Sequence, residues 1–176
     1  MTIGADTALR RISDALEAIS STAASHQRTF IVEVMGRNCG YLALISALNS
    51  AADYVFIPER PPAHDDWAEE LCDKISANKN AEGAKDKEGK PIKSHHIVDQ
   101  LKSRINEEAR VTILGHVQRG GAPSAFDRYM STLLGYAAVQ HLLEDESGKE
   151  SMIIGLQHNR VKPIPMMESI KNTKSI

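Results

Sequence analysis

A chain of 176 residues that is 41% hydrophobic and 25% charged can bury a sizeable core, which argues against intrinsic disorder. Its 21 Lys and Arg against 23 Asp and Glu leave a net charge of -2, so no global basic excess suits it to nucleic acid or to an anionic membrane. The N-terminal residues MTIGADTALRR carry no apolar signal core, no apolar run approaches membrane-spanning length, and a cytoplasmic protein is expected. Cys39 and Cys72 lie far apart and outside any CxxC pattern. That spacing argues against a disulfide framework or zinc site and predicts buried free thiols.

In chain order, Leu9, Ile12, Leu16 and Ile19 recur at helical spacing, with Asp6 or Thr7 able to cap the start. Residues 29–35 are rich in β-branched and apolar types and predict a buried strand. That strand ends at Gly36-Arg37-Asn38, ahead of a helix through Leu48. Arg28 precedes the strand and Arg37 follows it, so at roughly 3.3 Å per residue the two lie too far apart to grip one phosphate within one subunit. Residues 54–57 predict another short strand, closed by Pro58, and Pro61-Pro62 enforces an extended connection. Over 66–75, Trp67, Leu71 and Ile75 share one helical stripe. His64 has no partner pattern nearby and is expected to be a solvated loop residue.

Residues 77–92, ANKNAEGAKDKEGKPI, contain no apolar strand before AEGA. Ser94 can cap a helix in which Ile97, Val98, Leu101 and Ile105 face inward. His95 and His96 are adjacent in its first turn and diverge in direction, which argues against their sharing a metal.

The stretch 109–121, ARVTILGHVQRGG, is the most informative. Residues 111–114 form a short apolar β-type run that breaks at Gly115 into a loop carrying His116, Gln118 and Arg119, with Arg110 at its mouth. Gly120 and Gly121 permit a turn, and Pro123 with Ser124 opens a helix whose N–H groups favour an anion. Three groups able to carry positive charge, Arg110, His116 and Arg119, thus flank one strand, and guanidinium forks match phosphate oxygens. Spacing alone leaves two readings open: a site for a phosphorylated small molecule, or a strand-to-helix connection whose arginines are merely solvated.

Phe126, Met130, Leu133, Ala137 and Leu142 continue as a long amphipathic helix up to the polar turn at 144–149, with Asp127 and Arg128 as a capping or structural pair. Residues 152–156 predict a last strand, and 161–176 a proline-containing joint and a terminal helix. Alternating strands and helices predict an α/β fold: three layers, a mostly parallel sheet and helices on both faces, in a single domain spanning 1–176.

GHVQRGG followed by PSAFDR resembles the signature of the 6-phosphofructokinases. ADTALRRI, QRTFIVEVMGRNCGYLALISALNSAADYVFIPE, AEGAKDKEGKPI and RVTILGHVQRGGAPSAFDR resemble the catalytic half of the fungal and animal enzymes. The resemblance implies phosphorylation of fructose 6-phosphate at its 1-hydroxyl, with ATP and magnesium, in glycolysis. It implies that Arg28 and Arg110 reach across a subunit boundary to the sugar 6-phosphate in a homo- or hetero-oligomer. Met35, Gly36 and Arg37 would form the local substrate wall, with Arg37 also steadying the phosphoryl group in transfer. Glu82 would accept hydrogen bonds from sugar hydroxyls, and His116, Val117, Gln118 and Arg119 would complete the site.

Two departures from the family pattern matter. Relatives carry a basic turn and a buried strand leading into AEGA, so a strand of about 5–6 residues plus its turn is expected to be missing between Asn80 and Ala81. No GGDGS-like phosphate loop and no TIDND-like motif occurs in the sequence, so neither a general base nor principal ATP or magnesium ligands are expected here, nor turnover by the isolated chain. The N-terminal MTIG resembles a segment that follows closely after the catalytic aspartate. Pyrophosphate-using relatives share MGR but lack GHVQRGG, which favours ATP as donor. The alternatives are a non-catalytic fragment and a regulatory sugar-phosphate-binding module. Regulatory halves carry glycine and glutamine at the positions of Arg37 and Arg119, so the two arginines favour catalytic ancestry.

Overall fold

In the computed structural model the described residues are 2–26, 28–62, 67–77, 81–82, 97–99, 101, 109–144 and 150–172. They divide into two compact units, Thr7–Ala122 and a second one made of Met1–Asp6 with Pro123–Ile176.

The larger unit is built on helix α1 (Ala5–His26), strand β1 (Thr29–Glu33), helix α2 (Tyr41–Asn49), strand β2 (Tyr54–Val55), helix α3 (Trp67–Ala77), and strands β3 (Ala81–Glu82) and β4 (Ala109–Ile113). A 3-10 turn, Gly115–Arg119, follows β4. The predicted helical stripe of α1 centres on Ile12, which is fully buried, with Leu9, Leu16 and Ile19 half-buried beside it. Asp6 lies in the first turn, where a carboxylate complements the helix dipole, since the helix begins one residue before it.

β1 and β4 pair in parallel, in register from Thr29 opposite Ala109 to Glu33 opposite Ile113. β2 and β3 also pair in parallel, Tyr54 opposite Ala81 and Val55 opposite Glu82. The core gathers Ile31, Phe56, Leu71, Ile97, Val98 and Leu101, with Trp67 and Cys72 packed against it. Phe56 meets Tyr54 at 4.7 Å and Trp67 at 5.5 Å between ring centroids, both edge to face, the arrangement that the ring quadrupoles favour. Trp67, Leu71, Ile97, Val98 and Leu101 therefore do what their spacing predicts. Ser94 and Ile105 lie outside the described residues, as do His64, His95 and His96.

The thiols differ from expectation. Cys72 is half-buried, but Cys39 is exposed, because it falls in the turn between β1 and α2 rather than on a packed element.

The second unit contains helix α4 (Ala125–Glu144), strands β5 (Met152–Gln157) and β6 (Arg160–Pro165), and helix α5 (Met166–Asn172). Instead of the predicted joint after residue 160, β6 returns antiparallel along β5, Met152 opposite Pro165 and Gln157 opposite Arg160. The connection is a two-residue loop with φ of 49° at His158 and 58° at Asn159, the left-handed pair whose twist matches that of the strands it joins. Pro163 and Pro165 are tolerated because a two-stranded ribbon consists only of edges. The stripe predicted for α4 is only partly buried: Met130 is buried, Leu133 and Ala137 are half-buried, and Leu142 is 77% exposed. Tyr129, Tyr136, Val139 and Leu143 spread apolar surface around the rest of this helix, so no single side is marked for the core.

Both ladders of the larger unit are parallel and are interleaved with helices, which is the α/β class expected from the order of elements.

Candidate functional site

Parallel pairing sets the C-terminal ends of β1 and β4 side by side, and the Leu114 N–H extends the ladder by donating to the Glu33 carbonyl at 3.0 Å. Chain segments leaving that edge of a parallel sheet form the rim where α/β proteins place ligands. Here they are residues 34–40 and the turn Gly115–Arg119.

Each segment has a distinct local cause. Gly36 adopts φ +145°, a conformation reserved for glycine, and a Cβ there would collide with the Cys39 backbone carbonyl. The Cys39 N–H donates to the Gly36 carbonyl at 3.2 Å, closing a turn that carries Arg37 on its exposed side. After β4 the chain tightens into the 3-10 turn, sealed by the Gly120 N–H donating to the Val117 carbonyl at 3.2 Å. His116 and Arg119 are exposed on it, and Val117 is 71% exposed.

Gln118 is the exception, at 1% exposure. Its Oε1 accepts the Met35 N–H at 3.0 Å, and its Nε2 donates to the Gly115 carbonyl at 2.7 Å. One buried amide therefore joins the two segments. Met35, Gly36, Arg37, His116, Val117, Gln118 and Arg119 are thus brought to one edge. Arg37, His116 and Arg119 have no hydrogen-bond or ion-pair partner among the described residues. Exposed basic side chains without paired carboxylates suit an anion, and guanidinium forks suit a phosphoryl group in particular.

The positive end of α2, which starts just beyond this edge, is already answered. The Gly40 N–H donates to both carboxylate oxygens of Glu59, at 3.0 and 2.9 Å. Attraction for a further anion must therefore come from the side chains of Arg37, His116 and Arg119.

Arg28 and Arg110 sit at the opposite end of the same ladder. Arg28 immediately precedes Thr29, whose partner is Ala109, and Arg110 lies opposite Phe30. At 3.3 Å per residue, Arg28 lies about 16 Å and Arg110 about 10 Å along the ladder from the end that carries Arg37. Glu82 ends β3, opposite Val55, and only its backbone position is among those described.

Arg11 on α1 was not marked by any pattern in the sequence. Its Nε donates to the Gly120 carbonyl at 3.1 Å, and its guanidinium occupies the space that a Cβ on Gly121 would need. With φ +86° at Gly121, this glycine keeps the turn compact enough for the arginine to hold it from outside.

In the second unit, the Ser124 hydroxyl accepts the Asp127 N–H at 3.2 Å and so caps the start of α4. Buried Asp127 accepts the Gly4 N–H at 2.9 Å, and Arg128 donates to the Pro123 carbonyl at 3.3 Å. Both residues bond to backbone groups, a structural role.

A family model described as Phosphofructokinase matches residues 1–142. The chain belongs to the phosphofructokinase family. Among curated relatives, the muscle-type ATP-dependent 6-phosphofructokinase of Canis lupus familiaris is 48% identical, the match covering 100% of this chain and 24% of that protein. The liver type of Bos taurus is 47% identical with the same coverage. A solved phosphofructokinase from Saccharomyces cerevisiae superposes with a TM-score of 0.88 at 42% identity, covering 97% of this chain and 24% of that one. The fold is therefore that of the phosphofructokinases, and the chain spans about a quarter of the length of the relatives it matches. The match to the canine protein runs over 186 positions against 176 residues here, which leaves at least ten positions in that span without a counterpart in this chain.

Proposed function

We propose that this chain supplies the fructose 6-phosphate side of an ATP-dependent 6-phosphofructokinase, with each sugar site shared between subunits. The observation that carries the proposal is the edge after β1 and β4, where Gln118 joins two segments bearing Arg37, His116 and Arg119. In this assignment His116 and Arg119 hold and orient the sugar phosphate, Met35 and Gly36 wall it by their backbone, and Arg37 offsets charge on the phosphoryl group in transfer. Cations held in place on this edge supply such stabilisation at low reorganisation cost. Arg28 and Arg110, about 16 and 10 Å back along the ladder, then serve the 6-phosphate in a neighbouring subunit. Glu82 is assigned to the sugar hydroxyls, and Val117 to the wall.

The phosphoryl donor in this proposal is ATP with magnesium. Among the described residues no group of three or more His, Cys, Asp or Glu is placed to hold a metal ion. No helix among them is long and apolar enough to cross a membrane. A regulatory sugar-phosphate module is the second reading, and retention of both Arg37 and Arg119 disfavours it.

Titration calorimetry with fructose 6-phosphate tests the proposal. Loss of a hydrogen bond to a charged group costs about 1.5–3 kcal/mol, so Arg119→Ala and Arg37→Ala are each expected to weaken saturable binding by about 10- to 150-fold. Absence of heat at millimolar ligand in the wild-type chain would contradict it.

A further inference from the structure

We infer that Gln118 is a positioning residue: it sets the distance between Arg37 and the His116–Arg119 pair and contacts no ligand itself. The inference concerns the same edge and rests on the proposed sugar-phosphate site for its functional consequence, though not for its geometry.

A primary amide offers an acceptor oxygen and a donor nitrogen on one rigid plane. At Gln118 the oxygen faces an N–H, that of Met35, and the nitrogen faces a carbonyl, that of Gly115. Turning the amide over would set donor against donor and acceptor against acceptor, so one orientation alone satisfies both partners. Those partners belong to different segments: Met35 precedes Gly36-Arg37, and Gly115 opens the turn that carries His116 and Arg119. At 1% exposure the side chain has no surface left for a solute. The residues on either side of it, Val117 and Arg119, point the turn outward into solvent while Gln118 anchors it.

No other single residue type repeats this arrangement. Leucine matches the size and loses both bonds. Glutamate keeps the acceptor for Met35 but, when ionised, opposes the Gly115 carbonyl with a second acceptor. The two variants therefore release different halves of the tie.

The test is site-resolved amide hydrogen exchange on the whole chain, with fructose 6-phosphate affinity measured alongside. The Met35 N–H reports one half of the tie, the Gly120 N–H that seals the turn reports the other, and the Ile31 N–H on β1 serves as the control for general loosening. In Gln118→Leu, exchange at Met35 and Gly120 is expected to rise about five- to tenfold, with Ile31 unchanged and affinity reduced by a similar factor. In Gln118→Glu, Gly120 is expected to speed up while Met35 stays protected, a pattern that decides the matter even if the leucine variant does not fold. An unchanged Met35 in Gln118→Leu, or Met35, Gly120 and Ile31 rising together in either variant, would overturn the inference. If the exchange pattern appears but the wild-type chain binds no fructose 6-phosphate, the tie stands and the sugar-phosphate assignment falls.

Discussion

Replacing Gly36 by alanine perturbs the candidate site without touching a charged group. The residue holds φ +145°, where a side chain costs about 1–3 kcal/mol, and the new Cβ would meet the Cys39 carbonyl, which belongs to the backbone and cannot swing aside. Opening the turn to relieve that contact breaks the bond between the Cys39 N–H and the Gly36 carbonyl, about another 1 kcal/mol. The expected loss is therefore about 2–4 kcal/mol, or about 4–16 °C in the melting temperature of a chain this long. Circular dichroism melts provide the first readout and exchange of the adjacent Met35 N–H the second. A melting temperature within about 1 °C of wild type, together with unchanged Met35 exchange, would refute the claim that this turn is strained and specific to glycine.

Three further outcomes follow from the same structure. Ser124→Ala removes the acceptor for the Asp127 N–H and is expected to lower stability by about 1 kcal/mol in urea unfolding, an effect that Ser124→Asp largely restores. Gly121→Ala is expected to cost about 1 kcal/mol or more through its φ of +86° and to displace Arg11; in a double-mutant cycle with Arg11→Ala the two effects should add to less than their sum, since the arginine can be displaced only once. Burial raises the pKa of Asp53 above its ordinary 3.8, and the side-chain oxygen Oδ2 is buried without a hydrogen-bond partner among the described residues. The folded chain thus holds that proton more tightly than the unfolded one, and stability falls as pH rises from the unfolded value through the folded one. Asp53→Asn should raise the melting temperature near neutral pH and give no gain below the carboxylate range, and a gain of equal size at both would contradict this.

Much of the fold was legible because it follows from repetition. The spacing of Ile12 and its neighbours in α1, the β-branched run of β1, and the inward set Ile97, Val98 and Leu101 all use side chains whose position depends on local period. The end of β6 was not legible, since prolines at 163 and 165 suggest a joint, and only the His158-Asn159 pair carries the turn signal that makes a hairpin. In α4 apolar residues on several sides left the buried face ambiguous. The charged members of the candidate site were visible as charges flanking strand ends. What holds them was not: Gln118 reads as a polar loop residue, and its burial arises only when the β1–β4 register brings Met35 to its carbonyl oxygen. Arg11 likewise acquires its partner from a segment more than a hundred residues away.

The central claim is that fructose 6-phosphate binds where β1 and β4 end. A nitrogen–proton correlation NMR titration with this sugar phosphate tests it most directly. The predicted result is saturable shifts centred on the amides of residues 35–37 and 115–119, accompanied by shifts at Arg28, Glu82 and Arg110, absent with unphosphorylated fructose and weakened about 10- to 150-fold in Arg119→Ala. Saturable shifts centred on any other part of the chain, or none at all, would contradict it.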